Sequence, residues 1–173
     1  MKLINATEYT KGFWLEAQLD PTRSDYNIVI DQRVKGHLDI ERLNRAIKSF
    51  VLDHIIVNSH LEGDINNLYW VENISVAGLE YYLDKDIEYI KSWVAAPFDI
   101  SSGALYRFGL FELESGVYDF IVVLHHALMG GAGGDYFRKK LSAYYSEPIP
   151  NLDINKQYEQ INVRYSKISN KVA

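Results

Sequence analysis

The run His125-His126-Ala127-Leu128-Met129-Gly130-Gly131 holds the residue types best suited to chemistry. Two histidines close an apolar stretch, and Gly130, Gly131, Gly133 and Gly134 follow. Imidazole titrates near neutrality, so a cleft histidine can take a proton from an incoming nucleophile. Consecutive strand residues point to opposite faces, so one ring is expected in the packed interior and the other in a cleft. Glycines let the backbone turn sharply and pass close to a ligand. A histidine at a strand end also serves as a packing residue, and the residues alone leave both readings open.

Other chemistries fail on residue type or spacing. The glycines lack the Gly-Lys-Ser/Thr ending that cradles a nucleotide phosphate, and they follow no dinucleotide fingerprint. Rings on adjacent strand residues diverge, so the pair does not converge on one metal, and there is no His-Glu-x-x-His helix. No metal site is expected. His37, His54 and His60 stand apart and read as surface or packing residues. Asp84 and Asp86 read as helix-start charges rather than a carboxylate pair for glycoside chemistry. The chain has no cysteine, which excludes disulfides, a thiol nucleophile and thiolate ligands.

The elements that must position the histidines follow from periodicity. Thr7 to Gln18 reads as a helix capped by Thr7, with Tyr9, Phe13, Trp14 and Ala17 at helical spacing. Tyr26 to Val34 alternates as a half-buried strand, with Asn27, Asp31 and Arg33 on one face. Asp39 caps the clearest helix, whose buried stripe is Leu43, Ala46, Ile47, Phe50 and Val51. A short strand is expected at Leu68 to Val71, and a helix at Asp86 to Ala96, stopped by Pro97. Leu105 to Leu113 and Tyr118 to His125 read as two strands around Glu114-Ser115-Gly116. The second is rich in β-formers and reads as a central strand covered on both faces. A helix from Asp135 to about Tyr145 follows. From Ser146 the chain turns polar, with Pro148 and Pro150, and reads as a linker with one weak helix near Gln157 to Tyr165. The pattern predicts an α+β fold: a two-layer mixed β-sheet with packed helices.

The 173 residues suit one domain, and 47% hydrophobic with 24% charged residues is ordinary for a globular chain. Acids outnumber bases, 23 to 18, for a net charge of −5, and the densest basic group is Arg138-Lys139-Lys140. That is no phosphate-neutralising patch, so no nucleic-acid partner is expected. No apolar run approaches the ~20 residues that span a bilayer, and no signal-peptide core opens the chain. No membrane partner and a cytoplasmic location are the expectation.

The histidine run resembles the His-His-x-x-x-Asp-Gly motif of condensation domains from nonribosomal peptide synthetases, in the chloramphenicol acetyltransferase-like superfamily. Further segments are similar in order along the chain. Thr7 to Leu15 resembles the opening helix motif, with Thr10 where Gln is usual. Tyr26-Asn27-Ile28 resembles the Tyr-Asn strand start. Gly36-His37-Leu38-Asp39 with Leu43 and Ala46 resembles the Gly-x-Leu-Asp helix. Ala96-Pro97-Phe98-Asp99-Ile100 with Leu105-Tyr106-Arg107 resembles the Pro-Phe-Asp and Leu-x-Arg segment. Ile149-Pro150 and Tyr158 resemble the start of the linker between lobes. Two positions depart from the pattern. Gly130 stands where the motif has a largely structural Asp, and Asp53-His54 with Val57-Asn58 replaces an Arg-His, Leu-Arg pattern.

The resemblance implies a chloramphenicol acetyltransferase-like N-terminal lobe over 1–146 and an inter-lobe linker or tail over 147–173. It implies amide-bond formation between a carrier-bound acyl or aminoacyl thioester and an amine acceptor. His126 matches the catalytic second histidine, and His125 the more structural first. Gly131 matches the glycine whose amide lies near substrate, and Gly130 is the altered support position. No cofactor is expected to bind directly, because substrates arrive on phosphopantetheine arms. The implied partners are peptidyl or acyl carrier proteins and either a C-terminal lobe or a second copy. The family's domain has two similar lobes around a tunnel, so an isolated lobe is expected to be impaired. Two alternatives stand beside this: a non-catalytic module that binds a carrier protein or synthetase partner, and an oligomeric acyltransferase with its site between subunits.

Overall fold

The fold is described from a computed structural model covering residues 3–129 and 133–146. Its elements run β1 (Ile4–Asn5), α1 (Glu8–Leu19), β2 (Asn27–Lys35), α2 (Ile40–Asp53), β3 (Ser59–Gly63) and β4 (Leu68–Glu72). They continue with β5 (Leu79–Leu83), α3 (Ile87–Ala95), β6 (Tyr106–Glu114), β7 (Val117–His125), a 3-10 turn (His126–Leu128) and α4 (Gly133–Ser146). The expected linker from 147 onward, with its weak helix, lies outside the described residues, as do Gly130 and Gly131.

Three helices start where a short polar side chain can accept an orphan amide. The Thr7 hydroxyl accepts from the Thr10 N–H at 3.2 Å. Asp39 accepts from Arg42 at 2.9 Å, and Asp86 from Tyr89 at 2.8 Å. In α2 the stripe Leu43, Ala46, Ile47, Phe50 and Val51 is buried in full, as its helical spacing predicts.

Two sheets form. The smaller has the order β1-β4-β3, all antiparallel. The larger has the order β2-β7-β6-β5. Within it β2, β7 and β6 are antiparallel, whereas β5 and β6 are parallel and joined through α3. A parallel neighbour requires such a crossover, so the sheet is mixed, as predicted. β7 lies between β2 and β6, and Ile121 to His125 are all buried. The β6–β7 turn carries Gly116 at φ 75°, and between Glu112 and Glu114 the β6–β7 register shifts by one residue, as a bulge does.

Alternation divides the sheet's two faces. Phe108 points toward α2 and α4, where its ring lies 5.9 Å from Phe137, itself 5.0 Å from Phe50. Phe111 points the other way, 5.3 Å from Trp93 of α3. Helices therefore cover both faces, and β7 is the doubly covered strand that its composition predicts.

Candidate active site

β7 ends between its neighbours' backbones. The His125 N–H donates to the Leu105 carbonyl at 2.9 Å, and the His126 N–H to the Tyr26 carbonyl at 2.8 Å. These two bonds set where the strand stops and the chain turns.

His125 is 5% exposed. Its ring sits among Phe13 of α1, Tyr26 and Phe98, with centroids 5.9, 6.0 and 6.3 Å away. Nδ1 accepts a hydrogen bond from the Ala127 N–H at 3.1 Å, capping the 3-10 turn. A backbone amide only donates, so Nδ1 carries no proton and the neutral ring holds its hydrogen on Nε2. Burial, helped by the neighbouring His126, pulls the group down to about 4. His125 is thus a neutral buried structural residue at pH 7.

His126 behaves differently, and not by strand alternation alone. The strand ends at His125, and His126 is the first residue of the 3-10 turn. The turn carries its ring out of the sheet to a half-buried position. There Nδ1 lies 2.8 Å from the Tyr9 hydroxyl oxygen. The Phe13 ring lies 5.2 Å away at an interplanar angle of 31°. No hydrogen bond joins Nε2 to a described residue, so that nitrogen is the one left for a ligand.

The helix that supplies Tyr9 and Phe13 is itself tied down. Tyr26, immediately before β2, donates its hydroxyl to Glu16 of α1, and Arg23 pairs with the same carboxylate at 2.7 Å. Behind His125, Asn27 and Arg107 hold the end of α3 and with it the Pro97-Phe98 segment. The segments Tyr26-Asn27, Pro97-Phe98 and Leu105-Tyr106-Arg107, far apart in sequence, therefore meet behind one histidine.

The altered segment at 53–58 is placed elsewhere. Asp53 accepts from the Tyr144 hydroxyl at 2.8 Å, linking α2 to α4. His54 donates Nδ1–H to the Phe50 carbonyl at 2.7 Å and stacks on the Phe50 ring at 4.3 Å. Burial lowers its proton affinity, so it is a packing histidine, as its isolation in sequence suggested. A cavity of about 150 Å³ lies between the sheet and α4, lined by Ile30, Phe120, Phe137 and Leu141 among others, and includes neither His125 nor His126.

The structure thus brings His125 and His126 to one strand end. Sequence reasoning read Tyr9 only as part of an apolar helix face. It is 56% exposed and reaches a residue 117 positions away. No local pattern encodes that meeting.

The geometry defines a mixed-sheet α+β lobe with a buried histidine and a presented one at the end of its central strand. The Condensation domain family matches residues 2–172, and the chain belongs to that family. It is 26% identical over 163 residues to the beauvericin nonribosomal cyclodepsipeptide synthetase of Gibberella fujikuroi, covering 91% of this chain and 5% of the relative. The starter condensation domain of rhizomide synthetase superposes with a TM-score of 0.74 at 16% identity, over 84% of this chain and 38% of that one. The X-domain in its complex with OxyB from teicoplanin biosynthesis gives 0.76 at 19% identity, over 91% and 37%. Sequence identities this low make the structural likeness one of fold. The chain spans a few per cent of the curated synthetases and about two-fifths of these solved chains.

Among the described residues, no helix is long and apolar enough to cross a membrane, and no group of three or more His, Cys, Asp or Glu could hold a metal.

Proposed function

We propose that this chain is the N-terminal, donor-side lobe of a nonribosomal peptide synthetase condensation domain, with His126 at the reacting atoms. The observation that carries the reading is the unequal placement of the pair. His125 is buried and capped, and His126 turns out of the sheet with Nε2 available. The structural first histidine and working second histidine of the resembling motif need that division.

In the reaction, an acceptor amine attacks the carbonyl carbon of a donor thioester. The C–N bond forms, the C–S bond breaks, and the amine's proton ends on the departing thiol. Donor and acceptor arrive on the phosphopantetheine arms of carrier proteins, and holding both in line supplies much of the rate. His126 either takes the amine proton or donates a hydrogen bond, depending on which ring nitrogen carries hydrogen. A C-terminal lobe supplies the opposite wall of the cleft.

The test is amide formation between two carrier-bound aminoacyl groups, with a C-terminal condensation lobe added in trans. His126→Ala is expected to lower turnover about 100-fold or more. Equal turnover in both proteins would remove His126 from the mechanism. Gly130→Asp belongs in the same assay: Gly130 is read as a mark of relaxed or altered function, and a strong gain in condensation activity would overturn the idea of tolerated decay at this position.

A second reading is a non-catalytic condensation-like module. Gly130 favours it, and the X-domain relative is described in complex with another protein, OxyB. It predicts carrier or partner binding without turnover, unchanged by His126→Ala.

A further inference from the structure

We infer that Tyr9 is a positioning residue that fixes the hydrogen of His126 on Nε2, making this histidine a hydrogen-bond donor to the reacting centre rather than a base. The inference deepens the condensation reading and rests on it for the chemical step.

The Tyr9 hydroxyl oxygen lies 2.8 Å from His126 Nδ1. Either group could supply the hydrogen. A phenol is a strong donor and a poor acceptor, because its oxygen lone pair is drawn into the ring. The bare nitrogen of a neutral imidazole is a strong acceptor. O–H···Nδ1 is therefore the better of the two arrangements, and it leaves the imidazole hydrogen on Nε2. His125 beside it is held in the same tautomer, since its Nδ1 accepts from the Ala127 amide.

The contact is braced from several directions. Tyr9 lies in the first turn of α1, whose start is fixed by Thr7. Its ring packs edge-on against Phe13 at 4.8 Å, and Phe13 also lies against His126 at 5.2 Å. The three rings form one cluster. Removing the Tyr9 hydroxyl would leave that ring packing in place.

A neutral histidine with hydrogen on Nε2 cannot accept the amine proton there. It can donate to the oxygen that becomes negative when the amine adds to the thioester carbonyl. Donors aimed at developing charge are among the strongest contributors to such reactions. The proton lost by the amine then passes to the leaving thiolate without residing on His126.

The test uses the intact chain and Tyr9→Phe. Tyr9 is 56% exposed and the change keeps the ring, so both proteins fold. At about pH 8.5, well above the ordinary imidazole range, nitrogen-15 spectra distinguish a protonated ring nitrogen from a bare one. Wild-type His126 is expected to show bare Nδ1 and protonated Nε2. In Tyr9→Phe the Nδ1 signal is expected to shift as its donor is lost. Protonated Nδ1 in the wild type, or identical spectra in the two proteins, overturns the inference. In the condensation assay, Tyr9→Phe should lower kcat roughly tenfold with KM unchanged. Where His126→Ala lowers turnover, an unchanged kcat in Tyr9→Phe also overturns it. Failure of the condensation reading shows separately, as wild-type turnover in His126→Ala with the spectra as expected.

Discussion

Asn27 and Arg107 donate to the same two carbonyl oxygens, those of Val94 and Ala96. The amide Nδ2 of Asn27 lies 3.0 Å from each, and Arg107 Nη2 lies 3.3 and 2.7 Å away. The last carbonyls of a helix have no partner within it, and α3 has no basic residue in its own last turn. β2 supplies an amide and β6 a guanidinium, whose charge also suits the negative end of the helix dipole. Arg107 then lies over Phe98 at 4.2 Å, and Phe98 packs toward His125.

Arg107→Met keeps most of the stem's bulk and removes both hydrogen bonds. It is expected to cost about 2 kcal/mol in urea unfolding, and Asn27→Ala about 1 kcal/mol. The double variant is expected to cost more than the sum, because each single variant leaves the other donor on the same carbonyls and only the double strands them. Additive costs would mean that the two caps are independent.

Gly109 lies under α3. A Cβ built there would stand 2.7 Å from Phe111 Cε2 and 2.8 Å from Trp93 Cη2. Neither ring is free to move: Phe111 stacks on Tyr82 at 5.0 Å, and the Trp93 indole donates to Glu80 at 3.1 Å. Gly109→Ala is therefore expected to destabilise by about 1–3 kcal/mol, the usual range for overpacking. Thermal unfolding would check it, and a neutral result would mean that α3 can lift from the sheet at little cost.

Much of this architecture was legible from side-chain periodicity. The α2 stripe, the β6–β7 hairpin and the Thr7 and Asp39 caps appear where spacing predicts them, because each is a local pattern. β5 was not legible. Its Glu80, Tyr81 and Leu83 are exposed at a sheet edge, and its parallel partner is reached only through α3, so neither alternation nor a hairpin turn marks it. β3, reading Ser59-His60-Leu61-Glu62-Gly63, is too polar to stand out. At the candidate site, the residue types were legible and the environments were not. The division between His125 and His126 comes from a 3-10 turn, and the Tyr9 contact from packing across most of the chain.

The acid side of the stability profile should report His125. In the folded chain burial lowers its proton affinity to about 4, against roughly 6.5 when unfolded. Between those values the unfolded chain binds more protons, so stability rises with pH. The contribution is full above about pH 6.5, is lost as pH falls toward 4, and stays lost below. From pH 7 to pH 5 the expected loss is about 2 kcal/mol. His54, also lowered by burial, acts in the same direction. The lowered carboxyls of Asp20 and Asp25 act at more acid pH. Urea midpoints at several pH values give the slope, and a flat profile from pH 7 to 5 would mean that His125 takes up its proton inside the fold.

Replacing His125 separates its two structural roles. His125→Leu preserves apolar bulk among Phe13, Tyr26 and Phe98 but leaves the Ala127 N–H without its acceptor. An orphaned buried amide costs about 1–3 kcal/mol. His125→Asn loses ring contacts, yet its side-chain oxygen can stand near the place of Nδ1 and accept from the same amide. Both variants remove a titrating group, so both should flatten the stability profile between pH 7 and 5 by the same amount. They should differ at the turn. Hydrogen exchange at the Ala127 amide is expected to stay slow in His125→Asn and to quicken in His125→Leu. The Tyr9 contact should loosen only in the leucine variant, since the 3-10 turn that presents His126 depends on that cap. Equal exchange in the two variants would show that the turn is held by its backbone bonds, those to Leu105 and Tyr26 and that from Met129 to His126, and that the first histidine serves packing rather than presentation of the second.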